Sequence, residues 1–283
     1  MSMKRKGVSA RRTGRRATRT ARRPVTRPVR PAIPPPAVNH PQPEVSVIIP
    51  AMNEAATIAA VIAGARGVHP RCEVIVIVNG SADQTAEIAR SCGANVIVYE
   101  QPLGHDVGRS VGAAAAKGAV LLFTDGDLVI PASQLRPFVT AVSGGADLAL
   151  NDYSGPVRSR VPHPVVLSKH VLNLLLGRSE LKGCSLTAVP HAISRRALEV
   201  LGSGLLSRPP LAHAQAVLEG LVVTAVHNVP VGRMNAVRRK HSGSDLLQEA
   251  ILRDHLDAVA LVLERKGGRA GFGDGTRRRE MVR

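Results

Sequence analysis

The sequence predicts an α/β fold with a mostly parallel central sheet covered by helices on both faces. The first observation is periodicity. Between Glu44 and Phe123, strand-length runs of Val, Ile and Leu alternate with segments whose apolar residues recur at helical spacing. The second is the character of those runs, which are apolar at nearly every position, as in strands buried on both faces. The third is where the polar residues stand. Asn53, Asn79 and Asp125 each follow directly on such a run. In open α/β sheets ligands bind beyond the carboxyl ends of the strands, so a single crevice would collect all three.

Taken in order, residues 45–49 form a strand closed by Pro50, and the next helix carries Ile58, Val61, Ile62 and Ala65 on one face. Residues 73–78 form a second strand, after which Ser81 and Gln84 stand at capping-box spacing before another helix. A third strand covers 95–99, a helix 106–117, and a buried strand 119–123. Beyond it the pattern predicts a helix over 133–142, a strand over 146–151 and an apolar helix over 164–176. A strand at 186–189 and a helix at 195–201 follow, then a helix at 212–220 and a strand at 221–226. Asp245 with Gln248 caps a last helix whose Leu252, Leu256, Val259 and Leu263 make an apolar stripe.

Charge divides the 283 residues into three parts. Residues 1–43 hold twelve Lys and Arg and no acid, residues 266–283 are again basic, and residues 44–264 carry nineteen charges of each sign. The net charge of +17 therefore belongs to the ends. The domain expectation is a disordered Arg/Pro-rich tail over 1–43, one folded domain over 44–265 and a disordered basic tail over 266–283. The N-terminal tail suits electrostatic attachment to a polyanion or an anionic membrane surface, or simple solvation. Aromatic residues make up only 2% of the chain, which argues against base-stacking RNA recognition. The three cysteines form no CxxC pair, which points to a reducing compartment without structural zinc. No apolar stretch reaches membrane-span length, so a cytoplasmic protein, peripheral to a membrane at most, is expected.

Asp125-Gly126-Asp127 ends the fourth strand. Two carboxylates one residue apart repel each other unless a cation lies between them. A divalent ion carrying a diphosphate supplies one, because Mg2+ and Mn2+ take oxygen ligands and bridge to phosphate. The glycine lets a ligand approach the backbone closely. The competing reading is a plain Asp-Gly turn. Neither a GxGxxG after a strand nor a Walker A pattern occurs, which disfavours NAD and P-loop readings.

Four motifs in order carry a family resemblance. Ser46 to Glu54 (SVIIPAMNE) resembles the first-strand signature of family 2 glycosyltransferases, and Gly80 to Thr85 (GSADQT) resembles their G-S-x-D-x-T. Gly108-Arg109-Ser110-Val111-Gly112 is similar to the family's basic helix start, and Asp125-Gly126-Asp127 falls at its DxD. The resemblance implies a GT-A fold, a UDP- or GDP-linked sugar donor, a divalent metal (Mn2+ or Mg2+) and inversion at the sugar carbon. It further implies a nucleotide pocket from Pro50, Ala51, Asn53, Glu54 and Asn79, with residues 101–106 along the donor and Arg109 at phosphate or pocket wall. Asp125 and Gly126 would meet the donor, Asp127 and Asp125 the metal, and a late histidine, His241, would complete the metal shell. Val78 and Asn79 stand where many members carry two aspartates.

An inverting transfer also needs a general base opposite the leaving group. Family members commonly carry Glu-Asp before the last strand, whereas this chain has Arg208-Pro209-Pro210-Leu211-Ala212-His213. Asp152, His191, His213 and Glu219 are the substitutes. Two rival readings remain. A sugar-phosphate nucleotidyltransferase would need a Gly-rich basic loop after the first strand, which Ala51-Met52-Asn53-Glu54 is not. A non-catalytic, degenerate transferase domain tethered by its tail fits the missing acids but not the intact DxD.

Overall fold

Among the described residues of the computed structural model, every strand but one runs in the same direction. Residues 38–155, 161–234 and 246–273 are described. They contain a seven-stranded sheet in the order β3-β2-β1-β4-β6-β5-β7. Its strands are β1 (Val45–Ala51), β2 (Cys72–Asn79), β3 (Asn95–Tyr99), β4 (Val120–Phe123), β5 (Leu148–Asn151), β6 (His191–Ser194) and β7 (Val223–His227). β1 pairs in parallel with β2 and β4, β2 with β3, and β5 with β7. Only β6 is antiparallel to its neighbours, β4 and β5. The mixed α/β architecture is the one expected.

Side chains alternate between the faces of the sheet. Val45, Val47, Ile49 and Ala51 of β1 enter one core with α1 (Ile58–Arg66), α2 (Thr85–Ser91) and α4 (Ala132–Ser143). Ile48 faces the other way and joins Ile75, Ile77, Leu121 and Phe123 under α3 (Val107–Ala115), α6 (Arg195–Leu201) and α7 (Pro209–Leu218). α3 lies so close to the sheet that a Cβ on Gly112 would stand 2.7 Å from Ile77 Cδ1 and also meet Ile48. A third core joins α5 (Pro164–Leu176), α7 and α9 (Leu246–Lys266).

Several sequence expectations shift. The strand expected at 186–189 is a buried turn, with Ala188 N–H donating to Ser185 O at 3.1 Å, and pairing with β4 begins only at His191. Pro190 between them has no N–H for a ladder. α7 starts at Pro209 rather than 212, since proline is tolerated in a helix's first turn. Ser81 does not cap α2. Its Oγ accepts from Asn53 N–H at 2.9 Å, and Asp83 accepts from Thr85 N–H at 3.0 Å instead. The stripe of α9 is rotated, because His255, Ala258 and Val262 are buried while Leu256 is 69% exposed.

The folded region is also longer than the charge pattern implied. Asn39 extends the edge of β2, accepting from Val74 N–H at 2.9 Å and donating to Val74 O at 3.2 Å, and His40 N–H donates to Cys72 O at 3.0 Å. At the other end, Ala270 is buried against the third core, inside the stretch expected to be a disordered tail. Among the described residues no helix is long and apolar enough to cross a membrane.

Candidate functional site

The carboxyl ends of β1, β2 and β4 open into a cavity of about 890 Å³. Its walls include Pro50 to Glu54, Asn79, residues of the 102–105 loop, Arg109, and Asp125-Gly126-Asp127. Pro50, Ala51, Asn53, Glu54, Asn79, Arg109, Asp125, Gly126 and Asp127, expected in the donor and metal sites, all line this one cavity, and of residues 101–106 Pro102, Gly104 and His105 do so. His241 lies outside the described residues.

Local chemistry explains why the walls stand where they do. The chain leaves β1 through Asn53, whose positive φ of 58° an asparagine tolerates better than most residues. That turn is fastened to the loop before α2. Asn53 Oδ1 accepts from Ala82 N–H at 2.8 Å, Glu54 N–H donates to Thr85 Oγ1 at 2.8 Å, and Ala55 N–H donates to Asp83 at 3.0 Å. The Ser, Asp and Thr of the GSADQT segment thus hold the β1 loop. Asn79 takes Leu103 N–H at 2.7 Å and gives its amide to Gly104 O at 3.1 Å, which fixes the far wall.

The acidic turn is held with equal care. Gly126 N–H donates to Pro50 O at 3.0 Å, and Gly126 O accepts the Thr57 hydroxyl at 2.8 Å. A Cβ on Gly126 would lie 2.9 Å from the Ala51 methyl, so the turn tolerates no side chain there. Thr57, which the sequence reading did not single out, ties α1 to the turn from a capping-type position.

Arg109 lies between two carboxylates. Its Nη1 is 2.7 Å from Asp106 Oδ1 and its Nη2 is 3.3 Å from Asp125 Oδ1. Burial works against its charge, but Asp106 and then Asp125 more than offset it and hold the guanidinium above its ordinary value. Among the described residues no three His, Cys, Asp or Glu side chains are grouped to hold a metal by themselves. Two aspartates open to a cavity nevertheless suit an ion that keeps waters and takes its remaining oxygens from a diphosphate, which is the habit of Mg2+.

The four base candidates part company. His191 is buried, stacked on Phe123 at 4.9 Å, with Nδ1 2.9 Å from Ala188 O. Burial above all, then Arg109, pushes its pKa down to about 3. His213 is wholly buried with Nε2 2.8 Å from Asn173 Oδ1, and burial followed by His255 lowers it to about 3 as well. Neither His191 nor His213 is among the residues that line the 890 Å³ cavity. Glu219 pairs with Arg265 at 3.2 Å at the end of α7 and lines no cavity described here.

Asp152 is different. It is exposed at the end of β5 and lines a second cavity of about 560 Å³ together with Ser154, His170, Lys182, Asn228 and Pro230. Pro230 lines this second cavity, and Met234, at the end of α8 (Val231–Met234), lines the first. Composition hides this second cavity, because its residues come from four separate segments.

Residues 46–191 match the family described as Glycosyl transferase family 2. Glycosyltransferase AglE of Haloferax volcanii is 36% identical over 115 residues, 38% of each chain. Dolichyl-phosphate hexose transferase of the same organism is 32% identical over 109 residues, 38% of this chain and 47% of that one. The chain thus matches less than half the length of these relatives. Among solved structures, glucosyl-3-phosphoglycerate synthase of Mycobacterium tuberculosis superposes with a TM-score of 0.55 at 26% identity, over 82% of each chain. The same enzyme in complex with UDP superposes with a TM-score of 0.56 at 24% identity, covering 82% of this chain and 81% of that one. With three of the four motifs lining one cavity, the fourth fastening the loop after β1, and the family match spanning all four, the chain belongs to glycosyl transferase family 2.

Proposed function

We propose that the protein moves a sugar from a UDP-linked donor to an acceptor, with the donor and a divalent cation in the cavity at the ends of β1, β2 and β4. The observation that carries this reading is the convergence of Asp125, Asp127, Arg109, Asn53 and Asn79 on one cavity wide enough for a nucleotide sugar. The structurally similar synthase has been crystallised with Mn2+ or Mg2+ together with UDP, which favours uridine over guanosine.

In this reading Pro50 to Glu54 and Asn79 surround base and ribose, Asp125 meets ribose or cation, and Asp127 holds the cation. The bound ion neutralises the charge that develops on the departing diphosphate. Arg109, kept charged by its two aspartates, adds a fixed positive group aimed at the same region. The acceptor enters from the second cavity, past α8. There Asp152, the one base candidate exposed to either space, takes the proton of the attacking hydroxyl on the face opposite the diphosphate, which inverts the sugar carbon. The basic residues 1–43 act as an electrostatic tether outside this chemistry.

Calorimetry of UDP binding in Mn2+ and in EDTA tests the donor site, and turnover of a UDP-sugar panel tests catalysis. Metal-dependent binding with turnover is the expected result. UDP affinity equal in both buffers would remove the reading, and metal-dependent binding without any turnover would make the domain a binding module.

A further inference from the structure

The second cavity has a feature that a simple cleft between loops would lack. The loop on its floor is in an unfavourable conformation and is held there by buried polar groups. Lys182 has a φ of 52°, and Gly183 has no room for a side chain, since a Cβ would stand 3.0 Å from His170 Nε2 and 3.0 Å from Ser154 O. Below this loop Asn173, 1% exposed, donates to Lys182 O at 2.8 Å and to Cys184 O at 2.9 Å. The Asn173 carbonyl is in turn held by His213 Nε2 at 2.8 Å. From the cavity side, Ser154 Oγ accepts from Gly183 N–H at 3.2 Å. Local strain fixed by a fully used buried amide is the arrangement by which proteins position groups for ligands.

What this loop presents is charge of two kinds. Asp152 is the acid of the lining, and one of its oxygens takes the Cys184 thiol at 3.6 Å. Lys182 is exposed to the cavity and forms no ion pair with Asp152 or any other acid among the described residues. His170 stands beside Gly183. A carboxylate suits a hydroxyl that must lose its proton. An ammonium and an imidazole lining one cavity suit an acidic group.

We propose that this cavity receives a hydroxylated acceptor bearing a phosphate or carboxylate, with the acidic group on Lys182 and His170 and the hydroxyl directed to Asp152. The proposal rests on the transferase reading above. In the reaction the bond from the sugar carbon to the diphosphate oxygen breaks and its electron pair leaves with UDP. The acceptor oxygen forms the new bond to that carbon, and its proton passes to Asp152 and on to water. The acidic group itself is unchanged. Either a small soluble metabolite or the headgroup of a lipid carries this chemistry.

The test is calorimetry on the full chain saturated with UDP and Mn2+, titrated with phosphoglycerate, with glycerol 3-phosphate, with phosphatidylglycerol in detergent micelles and with glycerol. The expected result is binding of the acidic probes, soluble or micellar, with glycerol at least tenfold weaker. Lys182→Glu should weaken the acidic probes at least tenfold and Lys182→Arg should retain them, with UDP affinity unchanged in both. Preference for the micellar arm alone would identify a lipid headgroup, and binding of soluble probes a metabolite. Glycerol binding as well as the acids, no acidic probe binding, or Lys182→Glu leaving them unaffected would each overturn the proposal. Failure of UDP to bind wild type would instead strike the donor reading, so the two are told apart in one titration.

Discussion

Arg109 reaches from α3 across to Asp125 at the end of β4, with 3.3 Å between Nη2 and Oδ1. Its other terminal nitrogen is spent on Asp106, which is 7% exposed. Replacing Arg109 by Met keeps most of the volume but leaves the buried Asp106 with only His105, 3.8 Å away, as a cationic neighbour among the described residues. Removing one partner of a buried pair costs roughly 3 kcal/mol. Urea denaturation of Arg109→Met should show a loss of that order, and UDP affinity should fall as well. A variant as stable as wild type would mean that the pair is better solvated than its burial indicates.

Asp127→Asn preserves shape while removing one charge at the cation site. It should abolish the Mn2+-dependent part of UDP binding, and with it the rise in melting temperature that a native-state ligand produces. Asp125→Asn should weaken donor binding and also loosen Arg109. Thermal shift with UDP and Mn2+ reads both, and an undiminished shift in Asp127→Asn would reduce the motif to a turn.

Gly126→Ala places a methyl 2.9 Å from Ala51 Cβ and 3.2 Å from Pro50 O. Backbone must move to admit it, at about 1–3 kcal/mol. Because Gly126 is bonded to both Pro50 and Thr57, the displacement reaches the cavity wall. A several-fold rise in the donor KM is expected from steady-state kinetics, with the fold retained by circular dichroism.

The buried imidazoles make stability depend on pH. Unfolded, His191 and His213 take up protons near 6.5, but in the fold only near 3. Between those values the unfolded chain binds more protons, so stability falls as pH drops below about 6.5. The loss is about 1.4 kcal/mol per imidazole for each pH unit. His213→Gln retains a donor for Asn173 but does not titrate. Its stability should vary with pH by about one proton less, measured by urea midpoints between pH 7.5 and 5. An unchanged slope would mean that His213 is protonated in the fold.

Asn39 and His40 supply three edge bonds to β2, each contributing about 1 kcal/mol. A chain beginning at Val38 should match the full protein in urea midpoint and in UDP affinity, while one beginning at Glu44 should be less stable by roughly 2–3 kcal/mol. Both should lose salt-sensitive binding to heparin if residues 1–43 are the tether. Equal stability of the two would make the edge bonds idle.

The first half of the sheet was legible because its signals are local. β1 to β4 are runs of Val, Ile and Leu, and the donor residues follow those runs directly, so periodicity placed both strands and cavity. The second half was harder. β6 has four residues and follows a buried turn, and burial of Leu186 and Val189 looks the same in sequence whether the chain is paired or turning. The burial of His191 and His213 was hidden for a related reason. An imidazole beside a helix start or strand end reads as chemistry, and only packing reveals that Phe123 and Asn173 occupy it. The second cavity draws on residues from 152 to 230, so its formation depends on strand order rather than on any local pattern.

The single turn of α8 has its start beside one cavity and its end in the other, and Gly232 between them packs against the Tyr153 hydroxyl without room for a side chain. If the donor shifts α8 as it binds, the acceptor meets a different wall, and thermodynamic linkage requires the acceptor to change donor affinity by the same factor. Were α8 displaced in this way, reciprocal cooperativity between the ligands of the two cavities would follow with no subunit interface involved.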